Sequence, residues 1–335
     1  MMNDISFSLW CDFIERDFLE TDFKTLIAND IIQGATSNPS IFQQAFNNPV
    51  YASQKESLKG KEPKEIYEEL AKSDIQRAAE LLLPIYEEDS NNGYVSLEVD
   101  PFLCDDTAAT LEEGVRLFNL VNYPNVMIKI PATKAGFGAM EKLIAQGISV
   151  NATLVFSQKQ TIDCMEAFKR GYDAFKADFG NKELKDYPRA VVSIFVSRFD
   201  RKCDAILSAK DVPSATLGIK NAQKLYQIID NYELPAVRAL FASTGVKSGN
   251  LTPSYYIEEL YYSNVINTAP LNAIEKFAQI AEPQEAYLPS EEEFEEYFKM
   301  VEEAGVNLEE VSLELLEQGL SDFKMAFEKI LASFA

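Results

Sequence analysis

The run VMIKIPATKAG, residues 126–136, sets a lysine, Lys129, inside an apolar stretch that reads as a buried strand. Lysine is seldom fully buried, because an ammonium taken out of water must find a partner or lose its proton. Two placements are open to Lys129. Pointing outward, its stem would run along a helix layer and deliver the charge to solvent. Pointing inward, it would meet an environment that disfavours the charged form of any amine, and a deprotonated lysine is the nucleophile that makes Schiff bases with carbonyl compounds. Other polar residues recur at the ends of apolar runs: Asp12, Asn38, Glu98, Asn151, Thr153 and Ser193, with Arg198 and Lys247 just beyond two of them. Each has a plainer use. Asp12 fits a helix cap in WCDFIERDF, Asn38 before Pro39 suits a turn, Glu98 can pair with Lys129, and Asn151 can satisfy backbone groups. Their joint occurrence at run ends favours a site.

Composition narrows the chemistry. The 335-residue chain contains no histidine, which removes Ser-His and Cys-His nucleophile pairs, HExxH zinc sites and imidazole proton shuttles. Acid–base work falls to carboxylates, Lys, Tyr or water. Lys and Arg total 31 against 53 Asp and Glu, a formal charge of -22. Such a surface repels nucleic acid and anionic membranes, so neither is expected as a partner, and an anionic ligand must be held by a few local cations. Cys11, Cys104, Cys164 and Cys203 match no zinc or redox spacing and read as reduced thiols. Nothing in the chain calls for a metal or a cofactor. MMNDISFSLW lacks the basic region and apolar core of a signal peptide, and no twenty-residue apolar span occurs, so a cytoplasmic protein is expected. The Asn151–Thr153 and Asn250–Thr252 sequons are then chance matches.

Eight β-type runs must position these groups: ISFSLW (5–10), DIIQGAT (30–36), GYVSLEV (93–99), NVMIKIP (125–131), SVNATLVF (149–156), AVVSIFVS (190–197), RALFAST (238–244) and NVINTA (264–269). Helical periodicity fills the gaps, as in EEGVRLFNLV, GAMEKLIAQ and QTIDCMEAFKRGYDAF, with Asp105 and Ser157 as N-cap candidates. Strand–helix alternation over eight units predicts an α/β fold, a (β/α)8 barrel, whose chemistry lies at the C-terminal ends of the strands. A doubly wound open sheet is the rival, but no GxGxxG follows the first run, and GFGAME reads as a helix start. Within strands, Ser96 and Glu98 share one face, Asn151 and Thr153 another, and Ser193 shares parity with Phe195. Parity does not orient Lys129, since barrel strands are apolar on both faces. KGKEPKEIYEEL reads as an exposed helix with its approach loop. After residue 280 the strands stop, and PSEEEFEEYFKMVEEAG and NLEEVSLELLEQGLSDFKMAFEKILASF read as two helices. The expected organisation is one barrel domain over 1–335, with 283–335 as a helical extension packed on it.

The motifs LWCDFIER, GATSNPSIF, VSLEVDP, NVMIKIPAT, GISVNATLVFS, VSIFVSRFD and FASTGVK, taken together, resemble the transaldolase family, in its longer bacterial form, over nearly the whole chain. The resemblance implies a Schiff-base barrel enzyme of the pentose phosphate pathway. Such an enzyme moves a dihydroxyacetone unit from sedoheptulose 7-phosphate to glyceraldehyde 3-phosphate, giving erythrose 4-phosphate and fructose 6-phosphate. By motif, Lys129 is similar to the imine-forming lysine. Glu98 resembles the carboxylate that works through a water, Thr153 the residue that helps hold that water, and Asp12 the acid–base group of carbon–carbon cleavage. Asn38 and Asn151 would hold the dihydroxyacetone hydroxyls, with Ser193 in the same lining and Phe195 as an apolar wall. Arg198, Ser243 and Lys247 would take the phosphate. Phosphorylated sugars are the implied partners, met by a monomer or homodimer. Two other readings are a fructose 6-phosphate aldolase-like enzyme, whose members are shorter and lack a glutamate at the Glu98 position, and a non-catalytic sugar-phosphate-binding barrel.

Overall fold

The computed structural model describes residues 6–180, 182–247 and 251–335. The apolar runs become eight parallel strands: β1 (Ser8–Cys11), β2 (Gly34–Thr36), β3 (Tyr94–Glu98), β4 (Val126–Pro131), β5 (Val150–Val155), β6 (Ala190–Phe195), β7 (Val237–Ala242) and β8 (Ile266–Ala269). They pair in chain order and β8 returns to β1, so the sheet closes with no free edge and the fold is a (β/α)8 barrel. Each run read from the sequence holds a strand; β1 goes one residue further, to Cys11, β7 starts one earlier, at Val237, and the other six lie within their runs. DIIQGAT is shortened most, to Gly34–Thr36. Ile5 of the first run and Asn250 of the second sequon lie outside the described residues.

Helices cover the outside. α1 (Arg16–Glu20) and α2 (Asp22–Ala28) follow β1; α3 (Pro39–Ala45), α4 (Ala52–Ser57) and α5 (Pro63–Glu88) follow β2. α6 (Thr107–Val121), α7 (Lys134–Ala145) and α8 (Gln158–Phe179) follow β3, β4 and β5 in turn. After β6 come α9 (Ser197–Ser208) and α10 (Leu217–Asn231), after β7 α11 (Tyr255–Glu258), and after β8 α12 (Leu271–Phe277). The strands are buried on both faces, one against this helix layer and one against the barrel interior, which is why they read as continuous apolar runs. Trp10, Tyr94, Met127, Val191, Leu240 and Ile266 belong to the inner cluster. Gly34 makes room for the indole: a Cβ there would lie 2.5 Å from Trp10 Cε2.

Local signals held in most places. Ser157 caps α8 in a full capping box with Gln160. At α6 the cap is Asp106 rather than Asp105. A 3-10 turn at Pro101–Leu103 carries the chain one residue further, and Asp106 Oδ1 accepts the N–H groups of Ala108 and Ala109 at 2.9 and 3.0 Å. Asp12 caps nothing, because the first helix starts only at Arg16 with Glu15 as its cap. KGKEPKEIYEEL is not merely an exposed helix. It opens the 26-residue α5, which buries Ile66, Leu70, Ile75 and Leu82 in the main core.

The last two helices are α13 (Glu291–Glu303) and α14 (Leu308–Ala332). α14 touches α3 and α5 on one side and α9 and the end of β5 on another, so it crosses the mouth formed by the C-terminal ends of the strands. Its buried side includes Leu315, Phe323, Phe327 and Ile330. No described helix is long and apolar enough to cross a membrane.

Candidate active site

Strand register assembles the centre of the mouth. Glu98 on β3, Lys129 on β4 and Asn151 on β5 are direct neighbours across the sheet. Lys129 points inward: its side chain is 6% exposed, its Nζ donates to Ser37 O at 3.1 Å, and it lies 3.6 Å from Glu98 Oε2. Both Glu98 oxygens are buried without a hydrogen-bond partner among the described residues, as is Thr153 Oγ1. Burial pushes Glu98 up to about 7; the Lys129 charge opposes that rise and Asp12 adds to it. Asp12 is likewise raised by burial, against the pull of Lys129 and the hydrogen bond that Thr36 Oγ1 donates to its Oδ1 at 2.7 Å. Thr36 in turn meets Thr268 of β8, Oγ1 to Oγ1, at 2.6 Å.

A cavity of about 160 Å³ opens onto the amine. Of the residues singled out in the sequence, Asp12, Asn38, Lys129, Thr153, Ser193, Phe195, Arg198 and Ser243 line it. Asn38 does so while capping α3, its Oδ1 accepting the Ile41 N–H at 3.0 Å. Two others stand behind the wall. Glu98 reaches the cavity only through its contact with Lys129. Asn151 is fully buried and already committed, donating to Ser96 Oγ at 3.0 Å and accepting from Ser193 Oγ at 2.6 Å. That burial also confirms the Asn151 sequon as a chance match. Lys247 is exposed and does not line the described cavity.

Arg198, in the first turn of α9, lines the same cavity. Its guanidinium is 5.3 Å from the centre of the Phe195 ring, its Nη1 is 3.4 Å from Asp322 Oδ2, and its Nε is buried with no partner among the described residues. Burial lowers its pKa and the Asp322 charge works against that. Ser243 adopts a left-handed backbone (φ 54°), with its Oγ 3.2 Å from Ser197 Oγ.

Sequence reasoning missed Thr36, Thr268 and Phe323, all on the cavity wall. Thr36 and Thr268 were legible as polar residues at the ends of strands. Phe323 comes from α14, and its ring centre lies 5.8 Å from Lys129 Nζ. A buried amine near two raised carboxyls, facing a polar cavity with a guanidinium in its lining, suits imine chemistry on an anionic carbonyl compound. Cys11, Cys104, Cys164 and Cys203 are free and buried, with no part in the cavity.

The family model described as Transaldolase/Fructose-6-phosphate aldolase matches residues 9–334. A protein named transaldolase from Campylobacter jejuni subsp. doylei is 46% identical over 332 residues, covering 97% of this chain and 98% of its own length. A transaldolase from Helicobacter pylori strain Shi470 is 45% identical over 331 residues, with 98% and 99% covered.

Proposed function

This chain belongs to the transaldolase/fructose-6-phosphate aldolase family and is a transaldolase, and on that premise we propose that Lys129 is its imine-forming residue. The reaction is transfer of a dihydroxyacetone unit from sedoheptulose 7-phosphate to glyceraldehyde 3-phosphate. The aldolase-like and non-catalytic readings are set aside, because relatives similar over nearly the full length are named transaldolase.

The observation that carries the assignment is the inward amine of Lys129, 3.6 Å from Glu98 and on one cavity wall with Asp12. The Lys129 nitrogen, its proton passed to Glu98, attacks C2 of the ketose. Glu98 returns a proton as the carbinolamine loses water. A group poised near neutral pH serves both steps, and the unpaired Thr153 hydroxyl on the same cavity lining as Lys129 supports a shared water. Asp12 takes the proton of the C4 hydroxyl. The C3–C4 pair then flows into the iminium, the first aldehyde leaves, and the enamine adds to the second. Thr36 fixes Asp12, and Asn38 and Ser193 face the hydroxyls of the three-carbon unit. Asn151 acts by holding Ser193 rather than by touching substrate.

Arg198 and Ser243 receive the phosphate; the buried, unpaired Nε and the forked guanidinium suit phosphate oxygens. Lys247, exposed and outside the cavity lining, is the weaker candidate for a second cation. We further propose that residues 1–335 act as one domain, in the cytoplasm, as a monomer or homodimer. Borohydride added with fructose 6-phosphate should fix a three-carbon adduct on Lys129, located by peptide mass mapping. Lys129→Met should abolish it with the fold retained, and an adduct on any other residue would reject the assignment.

A further inference from the structure

We propose that Phe323 of α14 is a specificity-determining residue, whose ring keeps water from the amine-bound intermediate and so sets the division between transfer and release. The proposal rests on the transaldolase reading and deepens it. Between the two aldehydes the enzyme holds an enamine, with C2 bonded to Lys129 Nζ. That enamine has a second fate. A proton adds to C3, a water oxygen adds to C2, and the C2–N bond breaks with its pair going to nitrogen. One water is consumed, and the products are free dihydroxyacetone and the original amine. Transfer wins only if water, as the proton donor, is kept from C3 while the aldehydes exchange, because C2 accepts water only once C3 is protonated.

The geometry puts an apolar shield near these atoms. C2 lies about 1.5 Å from Nζ, a single carbon–nitrogen bond away, and so no more than about 7 Å from the centre of a ring that is itself 5.8 Å from that nitrogen. Phe323 is 4% exposed and lines the same cavity as Lys129. Most of this wall is polar, and Phe323 is the apolar side chain that faces the amine across it.

The position of the ring is closely set. Gly319 lies four residues earlier, on the same face of α14. A Cβ at Gly319 would lie 2.7 Å from Leu154 Cδ2 and 3.3 Å from Arg198 Nη1. Leu154 follows Thr153 and takes a left-handed backbone (φ 58°) where the pairing of β5 with β6 shifts register. The helix therefore approaches the end of β5 as closely as a missing side chain permits. Asp322, between Gln318 at 2.6 Å and Arg198 at 3.4 Å, fixes the same turn.

The test measures free dihydroxyacetone against transferred product, with fructose 6-phosphate as donor and saturating erythrose 4-phosphate as acceptor. Phe323→Ala should raise that ratio about tenfold, because truncation admits water that can protonate the enamine and then hydrolyse it. Phe323→Leu, which keeps apolar bulk, should stay within about twofold, and Phe323→Val should fall between them. Should the alanine variant not fold, the Leu–Val pair reports the same trend. A flat series, or a leucine variant that leaks as much as a smaller one, overturns the proposal. Borohydride trapping on the same wild-type sample separates the two claims. An adduct on Lys129 with a flat series removes the role of Phe323 alone, whereas no adduct on Lys129 removes both.

Discussion

Replacing Glu98 by glutamine should stabilise the protein at alkaline pH while ending turnover. Inside the barrel the Glu98 carboxyl keeps its proton up to about pH 7, against an ordinary value of 4.5, chiefly because burial penalises the anion. Below pH 4.5 folded and unfolded chains both hold that proton, and it contributes nothing to stability. Between 4.5 and 7 the unfolded chain releases it and the folded chain does not, so stability falls as pH rises. Above 7 both states are ionised and the full cost persists. At about 1.4 kcal/mol per pH unit the interval corresponds to roughly 3 kcal/mol. Glutamine imitates the protonated form, keeps the contact with Lys129 and never ionises. Urea denaturation should therefore give nearly equal stabilities at pH 4.5. At pH 8 the Glu98→Gln variant should be more stable by up to about 3 kcal/mol. A difference independent of pH, or a wild type more stable at pH 8, would refute the reasoning. The former would mean that Glu98 titrates normally, the latter that its anion is well solvated or better paired than a 3.6 Å contact allows.

The phosphate end and the helix caps give two further outcomes. Arg198→Ala should raise KM for fructose 6-phosphate about 10- to 100-fold, the worth of lost charge-assisted hydrogen bonds. Asp322→Asn should lower it about two- to fivefold by freeing the guanidinium from a half-exposed partner. Initial-rate kinetics check both, and a rise in KM for Asp322→Asn would make that carboxylate a support for Arg198 rather than a competitor. Ser157→Ala breaks the α8 capping box and should cost about 1 kcal/mol in equilibrium denaturation.

The barrel was legible because strands enclosed on both faces leave continuous apolar runs, and eight such runs have few ways to close. Parity was as informative within strands. Ser96 and Glu98, and Asn151 and Thr153, do turn toward the interior together. What parity omits is what a side chain is already bonded to: Asn151, given as a substrate contact by the resemblance, spends its amide on Ser96 and Ser193. Lys129 had no parity signal, and only its register beside Glu98 and Asn151 orients it. The misplaced cap at Asp105 arose because two adjacent aspartates offer the same chemistry and a preceding turn selects between them. Phe323 was invisible for a different reason. Periodicity in α14 says that a residue is buried but not against what, and the amine it faces belongs to a strand far back in the chain.

The crossing of the mouth by α14 fixes the order in which the centre is finished. A ribosome releases the chain from its amino end, so Asp12, Glu98 and Lys129 all emerge well before Phe323. A nascent barrel holds its reactive nitrogen uncovered until the last helix is free to dock. Proteolytic clipping between α13 and α14 would recreate that uncovered state in a mature molecule wherever the freed α14 left its seat. On our reading of the ring, the clipped product would be a wasteful enzyme, spilling its three-carbon cargo into solvent.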